Sequence, residues 1–548
     1  MLTKIKGGRV YDPAQKLDGV HQDIFVEDGT IVGDPGPGAV IDVVYDVRDK
    51  IVMAGGVDIH SHIAGGNVNA ARTLLPEQFV DGAGADGMLP VDRAMFTARE
   101  IGELYARMGY TTVVEPAMLP CNARDAHMQM ADIPVIDKAA LAILGNDDML
   151  LRLLREGSPQ SMINDYVAWN VAATKSLGVK CINAGGSAAF KENVRVFGLG
   201  DEVPAYGLSS RAILRALHRA VQDLGLAHPL HVHCNNLGVP DSIETLVATM
   251  DAADGAPMHL AHVQFYAYGK EGPHGFSSAA AQLIEALKRH ANITIDVGQV
   301  LFGQTVTISG DVIAQFSHRD TASPKKWIIW DGECEGSGGV VPYRYKPSSL
   351  VNALQWAIGL ELFLLADDPW RVFFTTDHPN GAPFTRYPEL IRLLMDRDYR
   401  EACFDTIHPE ARQMSLLPGI KREFSLYEIA VMTRAAPARL LGLADRGTLR
   451  PGAKADIAVY SPSGNFAEMF SRCSMLFKDG RCVVRDGQLR DRVFGATQFV
   501  TPGFDQRIVA PVRRHFERYS TISADNYVLS DSDIGPRRKE HPARAVAN

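Results

Sequence analysis

Short apolar runs alternate with amphipathic stretches through the centre of this chain, and this alternation restricts the fold more than any other feature. The apolar runs have the length of buried strands, whereas stretches such as 210–224 and 279–290 have helical spacing. Strands that alternate with helices pair in parallel, which predicts either a (β/α)8 TIM-like barrel or an open doubly wound sheet. Eight runs favour the barrel: Val57–His62, Thr111–Glu115, Leu141–Gly145, Val179–Asn183, Leu230–Cys234, Met258–Val263, Ile293–Val297 and Val372–Thr376.

The two ends of the chain have a different sequence pattern. Residues 1–54 contain short strand-like runs separated by turn residues, and the same pattern occurs again between 443 and 500. We therefore predict one β-sandwich domain built from 1–54 and 443–500, next to a barrel domain at 55–442. Residues 501–548 form a C-terminal extension, whose basic stretch 537–539 is interpreted as a solvated tail or a subunit contact.

The composition narrows the class of protein. With 46% hydrophobic and 22% charged residues in 548, a disordered chain and a fibrous repeat are excluded. A net charge of −8 argues against nucleic-acid binding through the overall field. No apolar run approaches the ~20 residues of a membrane span, and no signal-peptide pattern opens the chain. The seven cysteines are scattered without a C-x-x-C pair, so we expect a cytoplasmic protein with reduced thiols.

The first predicted strand carries two histidines at its C-terminal end. His60 and His62 are two residues apart, so both point to the same side of an extended strand and can hold one metal ion. Lys180, inside the fourth apolar run, is costly to bury as an ammonium. It requires a carboxylate partner, a lowered pKa or a modification. Reaction with CO₂ would give a carbamate able to bridge two metals.

Later strands also end in groups that bind metal. The fifth offers His231 or His233, and the sixth offers His259 or His262. His233 and His262 are preferred because each lies nearer the C-terminal end of its strand, where barrel enzymes place catalytic groups. Imidazole and carboxylate ligands suit zinc. The predicted centre consists of His60, His62, Lys180, His233, His262 and, after the eighth strand, Asp377.

Candidates for substrate contacts follow the same strand ends. His378 comes directly after Asp377 and either orients a substrate or caps the loop. Asn235 and Asn236 either position a substrate or satisfy the end of the fifth strand. Asn183 either donates a hydrogen bond near the metals or serves as a structural amide.

These motifs resemble those of the amidohydrolase superfamily over nearly the whole chain. The segments similar to that superfamily's signatures are 51–62, 109–113, 436–443 and 447–459. A more specific resemblance is to the A-subunit family of formylmethanofuran dehydrogenases and, more closely, of bacterial formyltransferase/hydrolase complexes. The segments that carry it are 179–186, 233–238 and 376–381.

The resemblance implies a binuclear zinc hydrolase that releases formate from the formyl amide of formylmethanofuran or its analogue with methylofuran. The implied ligands are His60, His62 and Asp377 for one zinc ion, His233 and His262 for the other, and a carboxylated Lys180 for both. Asp377 would also transfer the proton to the leaving amine. A formyltransferase subunit of the same hetero-oligomeric complex would exchange formyl between tetrahydromethanopterin and the furan carrier, in one-carbon metabolism.

Two long segments, 264–276 and 325–346, interrupt the repeat and are expected as loops at the substrate face. The second contains basic and aromatic residues. These either bind an extended anionic arm of the carrier, as the resemblance implies, or pack on another subunit.

Three other functions share parts of the pattern. A cyclic-amide hydrolase of the dihydropyrimidinase type would use all six ligand positions. The A chain of a formylmethanofuran dehydrogenase would add redox partners; a redox role for the chain itself is disfavoured because it lacks a C-x-x-C pair and a G-x-G-x-x-G motif after a strand. A non-catalytic scaffold is disfavoured because this chain keeps every metal ligand.

Overall fold

The computed structural model describes residues 1–79, 89–90, 92–331 and 337–543. Within these ranges the centre of the chain forms a (β/α)8 barrel, which confirms the predicted fold class. Its strands pair in parallel in chain order, and a parallel bridge between Ser61 and His378 joins the segments that follow the first and last strands. We number them β1 to β8: Gly56–Asp58, Tyr110–Met118, Asp137–Leu144, Gly178–Ile182, Leu230–His233, Met258–Leu260, Ile293–Asp296 and Val372–Phe373.

The barrel strands are buried on both faces, which explains why they were visible as continuous apolar runs. All eight residues of β3 are buried. Several observed strands are shorter than predicted, so some of the predicted ligands lie just beyond a strand end. The register places Lys180 of β4 beside His231 of β5, and His231 beside His259 of β6, so these polar residues form one row across neighbouring strands.

Helices surround the strands and begin at recognisable caps. Thr97 and Glu100 form a reciprocal capping box at one helix start, and the Ser209 hydroxyl caps another. The α-helices are Gly66–Leu74, Ala98–Arg107, Ala123–Ala131, Asp148–Arg155, Gln160–Ala173, Gly186–Lys191, Ser210–Asp223, Ser242–Ala252, Ala280–Arg289, Val312–Ala322, Leu350–Leu365, Tyr387–Met395, Arg397–Phe404, Pro409–Met414, Leu426–Ala430, Ala436–Leu440, Phe466–Ser471, Val509–Tyr519 and Ala524–Tyr527. Among the described residues, no helix combines the length and apolar character needed to cross a bilayer.

The two ends of the chain together build one mixed sheet. Hydrogen bonding is continuous through it, and the ends meet where Ile51–Ala54 pairs antiparallel with Ile457–Tyr460. The sheet has its own core, which includes Val10, Val52 and Phe477. Its other described strands are Leu2–Asp12, Leu17–Glu27, Thr30–Val32, Val43–Asp46, Met475–Lys478, Arg481–Arg485 and Gln488–Leu489.

The last part of the chain differs from the prediction. Thr497–Val500 was assigned to the sandwich, but it pairs with β3 at the edge of the barrel sheet. Arg538–His541, in the stretch interpreted as a solvated tail or subunit contact, pairs in parallel with Thr497–Val500. Lys539 forms an ion pair with Asp445, a partner far away in the sequence. The extension therefore packs on this chain, through edge pairing that local periodicity does not encode.

An inserted unit between β7 and β8 covers the C-terminal end of the barrel. The segment 325–346, predicted as a loop, contributes to a three-stranded antiparallel sheet, with residues 332–336 outside the described ranges. We call this unit the cover. It consists of Gly303–Ser309, Val312–Ala322, Ile328–Asp331 and Ser337–Tyr345. The other predicted loop, 264–276, contains the short strand Tyr268–Gly269, which pairs with Ser277–Ser278.

A buried ion-pair cluster joins the barrel to the terminal sheet. The Lys478 ammonium, fully buried, lies 3.1 Å from the Asp137 carboxylate of β3 and 2.9 Å from Asp456. Arg446 contacts the same two carboxylates at 2.7 and 3.3 Å. Burial alone would raise the pKa of Asp137, but Lys478 and Arg446 hold it below its ordinary value.

We expect Lys478→Met to lower the free energy of unfolding by about 3–5 kcal/mol, because it leaves buried carboxylates short of positive charge. Urea titration followed by circular dichroism measures this. Lys288→Met serves as the control because Lys288 pairs with Glu285 and Asp367 at the surface. Equal stability of the two variants would show that the buried cluster does not hold the domains together.

Candidate metal centre and active site

The histidines after β1 are held by a network below them. The Asp58 carboxylate accepts a hydrogen bond from the His60 backbone N–H at 3.0 Å, and others from the Tyr105 and Tyr387 hydroxyls at 2.7 and 2.6 Å. This fixes the chain as it leaves the strand. The Nε2 atoms of His60 and His62 then lie 3.0 and 3.3 Å from one oxygen, Oδ1 of Asp377.

Lys180 lies in the same group. Its Nζ is 3.2 Å from His60 Nε2, and the side chain is buried. Among the described residues it forms no salt bridge, so the structural alternative of a simple lysine–carboxylate pair is not observed. Burial lowers the pKa of Lys180 to about 8, although the carboxylates of Asp377 and Asp296 oppose this.

His233 and His262 form the other half of the group. His233 Nδ1 lies 3.1 Å from His262 Nε2, and both side chains line the cavity described below. His262 has a left-handed backbone with φ of 36°. Gly298 makes room for it, since a Cβ at that glycine would lie 2.4 Å from the His262 Cβ.

His231 and His259, the alternatives for strands β5 and β6, lie below the centre instead. His231 Nε2 is 3.1 Å from the far side of His60, at Nδ1, and its own Nδ1 contacts His228 at 3.2 Å. His259 Nε2 contacts Asp296 at 3.1 Å. Neither belongs to the described cavity lining, so the geometry favours His233 and His262 as the groups available to a ligand.

Each of three ligand histidines contacts its own carboxylate. His62 Nδ1 lies 3.2 Å from Glu115, His60 Nδ1 lies 3.1 Å from Asp296, and His233 Nε2 lies 3.0 Å from Asp311. An imidazole that donates its proton to a carboxylate keeps the lone pair on its other nitrogen. The pairs therefore direct the free nitrogens, His60 Nε2, His62 Nε2 and His233 Nδ1, towards the centre.

These carboxylates were missed from the sequence. Glu115 ends the second predicted strand and Asp296 lies within the seventh, so a signal existed: an acidic residue inside an apolar run. Asp311 was harder to recognise as a partner of a metal-binding histidine. An aspartate at this position is already explained by helix capping, because it accepts a hydrogen bond from Ala314 N–H at the start of Val312–Ala322. It comes from the cover, whose fold the repeat pattern did not reveal.

The substrate-contact candidates are mostly used by the fold. The Asn235 amide donates to Phe197 O and Ser210, and Asn236 donates to Thr245. His378 Nδ1 accepts from Phe384 N–H, which agrees with loop capping. None of the three is in the described cavity lining because each satisfies the backbone or a neighbouring side chain. Asn183 donates to Asp311 at 3.1 Å and supports the centre.

All of the predicted ligand groups except His60 line one small cavity, of about 30 Å³. The barrel contributes the polar floor, with Asp377 and Lys180. Ile182, Leu237 and Phe265 make one side apolar, and residues of the cover close the top. Such a small space, with polar groups at one end and apolar walls elsewhere, suits a small polar group carried on an organic body.

The residues present fit a metal ion. One donor atom each from His60, His262 and Asp377 lies within 4.8 Å of the others. His262 Nδ1 is buried without a hydrogen-bond partner, and Asp377 Oδ1 forms no hydrogen bond of good geometry despite its short distances to His60 and His62. Burial would raise the pKa of Asp377, yet the imidazoles of His60 and His262 keep it well below its ordinary value, so the carboxylate is ionised. Nitrogen and oxygen donors of this kind are those that zinc prefers.

The barrel and its ligand cluster define a hydrolase of the amidohydrolase class. The chain matches the amidohydrolase family over residues 43–489 and belongs to it.

Two curated proteins are similar to most of the chain. One is the A chain of the formyltransferase/hydrolase complex Fhc of Methylorubrum extorquens, 52% identical over 494 residues, which are 89% of each chain. The other is protein FwdA of Methanocaldococcus jannaschii, 37% identical over 552 residues, or 96% of each. The crystal structure of the FhcABCD complex from M. extorquens with methylofuran contains a chain with a TM-score of 0.95 at 47% identity, covering 100% of both chains.

We expect Asp311→Asn to weaken metal binding at His233 by about 10–100-fold, because a neutral amide replaces the charged acceptor that fixes the tautomer of the imidazole. Zinc retained after dialysis against increasing chelator measures the effect. Asp320→Asn, at an exposed position on the same helix, is the control. If both variants retain zinc like the wild type, Asp311 does not orient His233.

Proposed function

We propose that this chain is a binuclear zinc amidohydrolase that hydrolyses the formyl amide of formylated methylofuran, or of formylmethanofuran, to formate and the free amine. The observation that carries the proposal is that His62, His233, His262, Lys180 and Asp377 line one buried cavity, while His60 contacts Lys180 and Asp377 beside it. The 52% identity to FhcA, the A chain of the Fhc complex, supports the substrate class. We further propose that it works in the cytoplasm as part of a complex with a formyltransferase.

The proposed ligand assignment follows the two halves of the site. His60 and His62 share contacts with Asp377 and would hold one zinc ion, whereas His233 and His262 would hold the other. When bound, the two ions would lower the pKa of a water molecule and polarise the formyl oxygen.

Carboxylated Lys180 would bridge the ions. The pKa near 8 leaves a useful fraction of the amine neutral at neutral pH, and only the neutral amine attacks CO₂. Attack forms the Nζ–C bond and releases one proton, which yields the carbamate anion. With two divalent ions bound, the carbamate anion would offset part of their positive charge in the buried site.

Asp377 would transfer the proton that the reaction requires. Its carboxylate is ionised and lies between the two histidines that follow β1, at the polar floor of the cavity. It can accept a proton from the attacking water and deliver it to the amide nitrogen. Without that proton the C–N bond would have to break with an amide anion as leaving group. The products are formate and the amine.

The cover and the segments that flank it also present basic residues outside the cavity. Tyr345 lines the cavity, whereas the adjacent Arg344 and Lys346 border two surface grooves, one of which also contains Lys325 and Lys326. We propose that these grooves hold an extended anionic arm of the carrier while its formyl end enters the cavity. The partner transferase would exchange the formyl group with tetrahydromethanopterin.

The substrate assignment is tested by formate release. The purified complex is expected to liberate formate from formylated methylofuran and to leave hydantoin intact, with a formyltransferase among the co-purifying subunits. Hydantoin opening without formate release would favour a dihydropyrimidinase-type enzyme. Co-purification with redox subunits would favour a formylmethanofuran dehydrogenase instead.

We expect Lys180→Ala to lose one or both zinc ions and to reduce formate release by more than about 100-fold, because the bridging ligand is removed. Metal analysis and a formate assay measure the two effects. Lys138→Ala is a matched control, since Lys138 is a buried lysine that contacts Ile133 O and Gly495 O, away from the cavity. Wild-type zinc and activity in Lys180→Ala would refute the bridging role.

A further inference from the structure

The cover places one more imidazole in the cavity. His318 lies on the helix Val312–Ala322, and with Ala314 and Gln315 it lines the cavity from above. These positions are three and four residues apart, so they share one face of the helix. The metal-ligand assignment does not use His318, and its Nδ1 is buried without a hydrogen-bond partner.

Two other polar groups on this wall, Thr307 and Asn380, are already paired. The Thr307 hydroxyl lies within hydrogen-bond distance of Gln315 Oε1, at 3.3 Å, and of Val341 O, at 3.2 Å. Asn380 Oδ1 accepts from Ile308 N–H at 2.7 Å. His318 is therefore a polar side chain of the cover with hydrogen-bonding capacity left for a ligand.

The surroundings of His318 also favour its neutral form. Burial lowers its pKa, and the neighbouring His233 lowers it further while Asp311 opposes both. A neutral imidazole offers one N–H donor and one lone pair. It can thus accept a hydrogen bond without bringing another positive charge next to the metal ligands.

We propose that His318 accepts a hydrogen bond from the amide N–H of the formyl substrate and so positions the leaving nitrogen. This inference rests on the proposed function. A formamide of a primary amine has one carbonyl oxygen and one N–H. The oxygen belongs with the metal ligands at the floor, and the N–H then needs an acceptor, because an unpaired N–H in an apolar cavity is costly.

The contact gives His318 a role in specificity as well as position. The neighbouring side chains Ile182, Leu237 and Phe265 provide no hydrogen-bond acceptor. A formamide without an N–H would leave the His318 acceptor unpaired in the cavity. The site would therefore prefer secondary formamides over N-methylated ones.

The experiment uses the complex purified with its partner subunits and compares His318→Phe, which keeps the ring volume, with His318→Gln, which restores an acceptor oxygen. We expect kcat/KM for formate release from formylated methylofuran to fall about tenfold or more in His318→Phe, with zinc content unchanged, and to recover partly in His318→Gln. The control is His290→Phe, because His290 pairs with Asp251 outside the cavity. Values for His318→Phe within twofold of the wild type would overturn the proposal.

A second measurement separates substrate contact from a packing role. Formate release is compared for N-benzylformamide and its N-methyl derivative. The wild type is expected to prefer the secondary formamide about tenfold, and His318→Phe to lose that preference. A preference that survives in His318→Phe refutes the contact. A wild-type complex that releases no formate from formylated methylofuran refutes the proposed function itself, so the two failures are distinguishable.

Discussion

The physical problem that organises this protein is the burial of many polar groups at one end of an apolar barrel. His60, Lys180 and Asp377 are between 0 and 4% exposed, and none of them can be solvated there. Such burial is tolerable only if every donor and acceptor has a partner. The structure meets this condition in layers. Carboxylates below and above the centre bind the outward nitrogens of His60, His62 and His233, and the inward atoms are left for a ligand that only their shared position can hold.

This arrangement explains why much of the site could be predicted from the sequence. Parallel strands in a barrel bring their C-terminal ends together, so residues hundreds of positions apart, such as His62 and Asp377, converge once the strands are recognised. The choice between His231 and His233 was harder because residues two apart in a strand point to the same side of the sheet. It depends on depth: in the structure the deeper residue is paired with His60 Nδ1 and the one at the strand end faces the cavity.

The features that the sequence did not predict depend on contacts between residues far apart in the chain, which leave no local sequence pattern. The sequence of Thr497–Val500 is typical of any short buried strand, and only its pairing with β3 assigns it to the barrel sheet. The basic stretch near the C-terminus looks solvated until Asp445 is seen opposite Lys539. The cover is the largest case. Its strands pair with one another and not with the barrel, so they interrupt the periodicity that revealed everything around them.

The barrel and the cover contribute different parts of the site, and the difference follows from their structures. Barrel strands are rigid and converge, so they suit groups that must meet at one point, even when this requires left-handed backbone at His262 and Asp377. An inserted sheet and helix can change length and sequence without disturbing the barrel closure. The cover supplies Asp311 to a barrel histidine and His318 to the cavity. The ligand geometry of the site is therefore mainly a property of the barrel, whereas the shape of the substrate that reaches it is mainly a property of the cover.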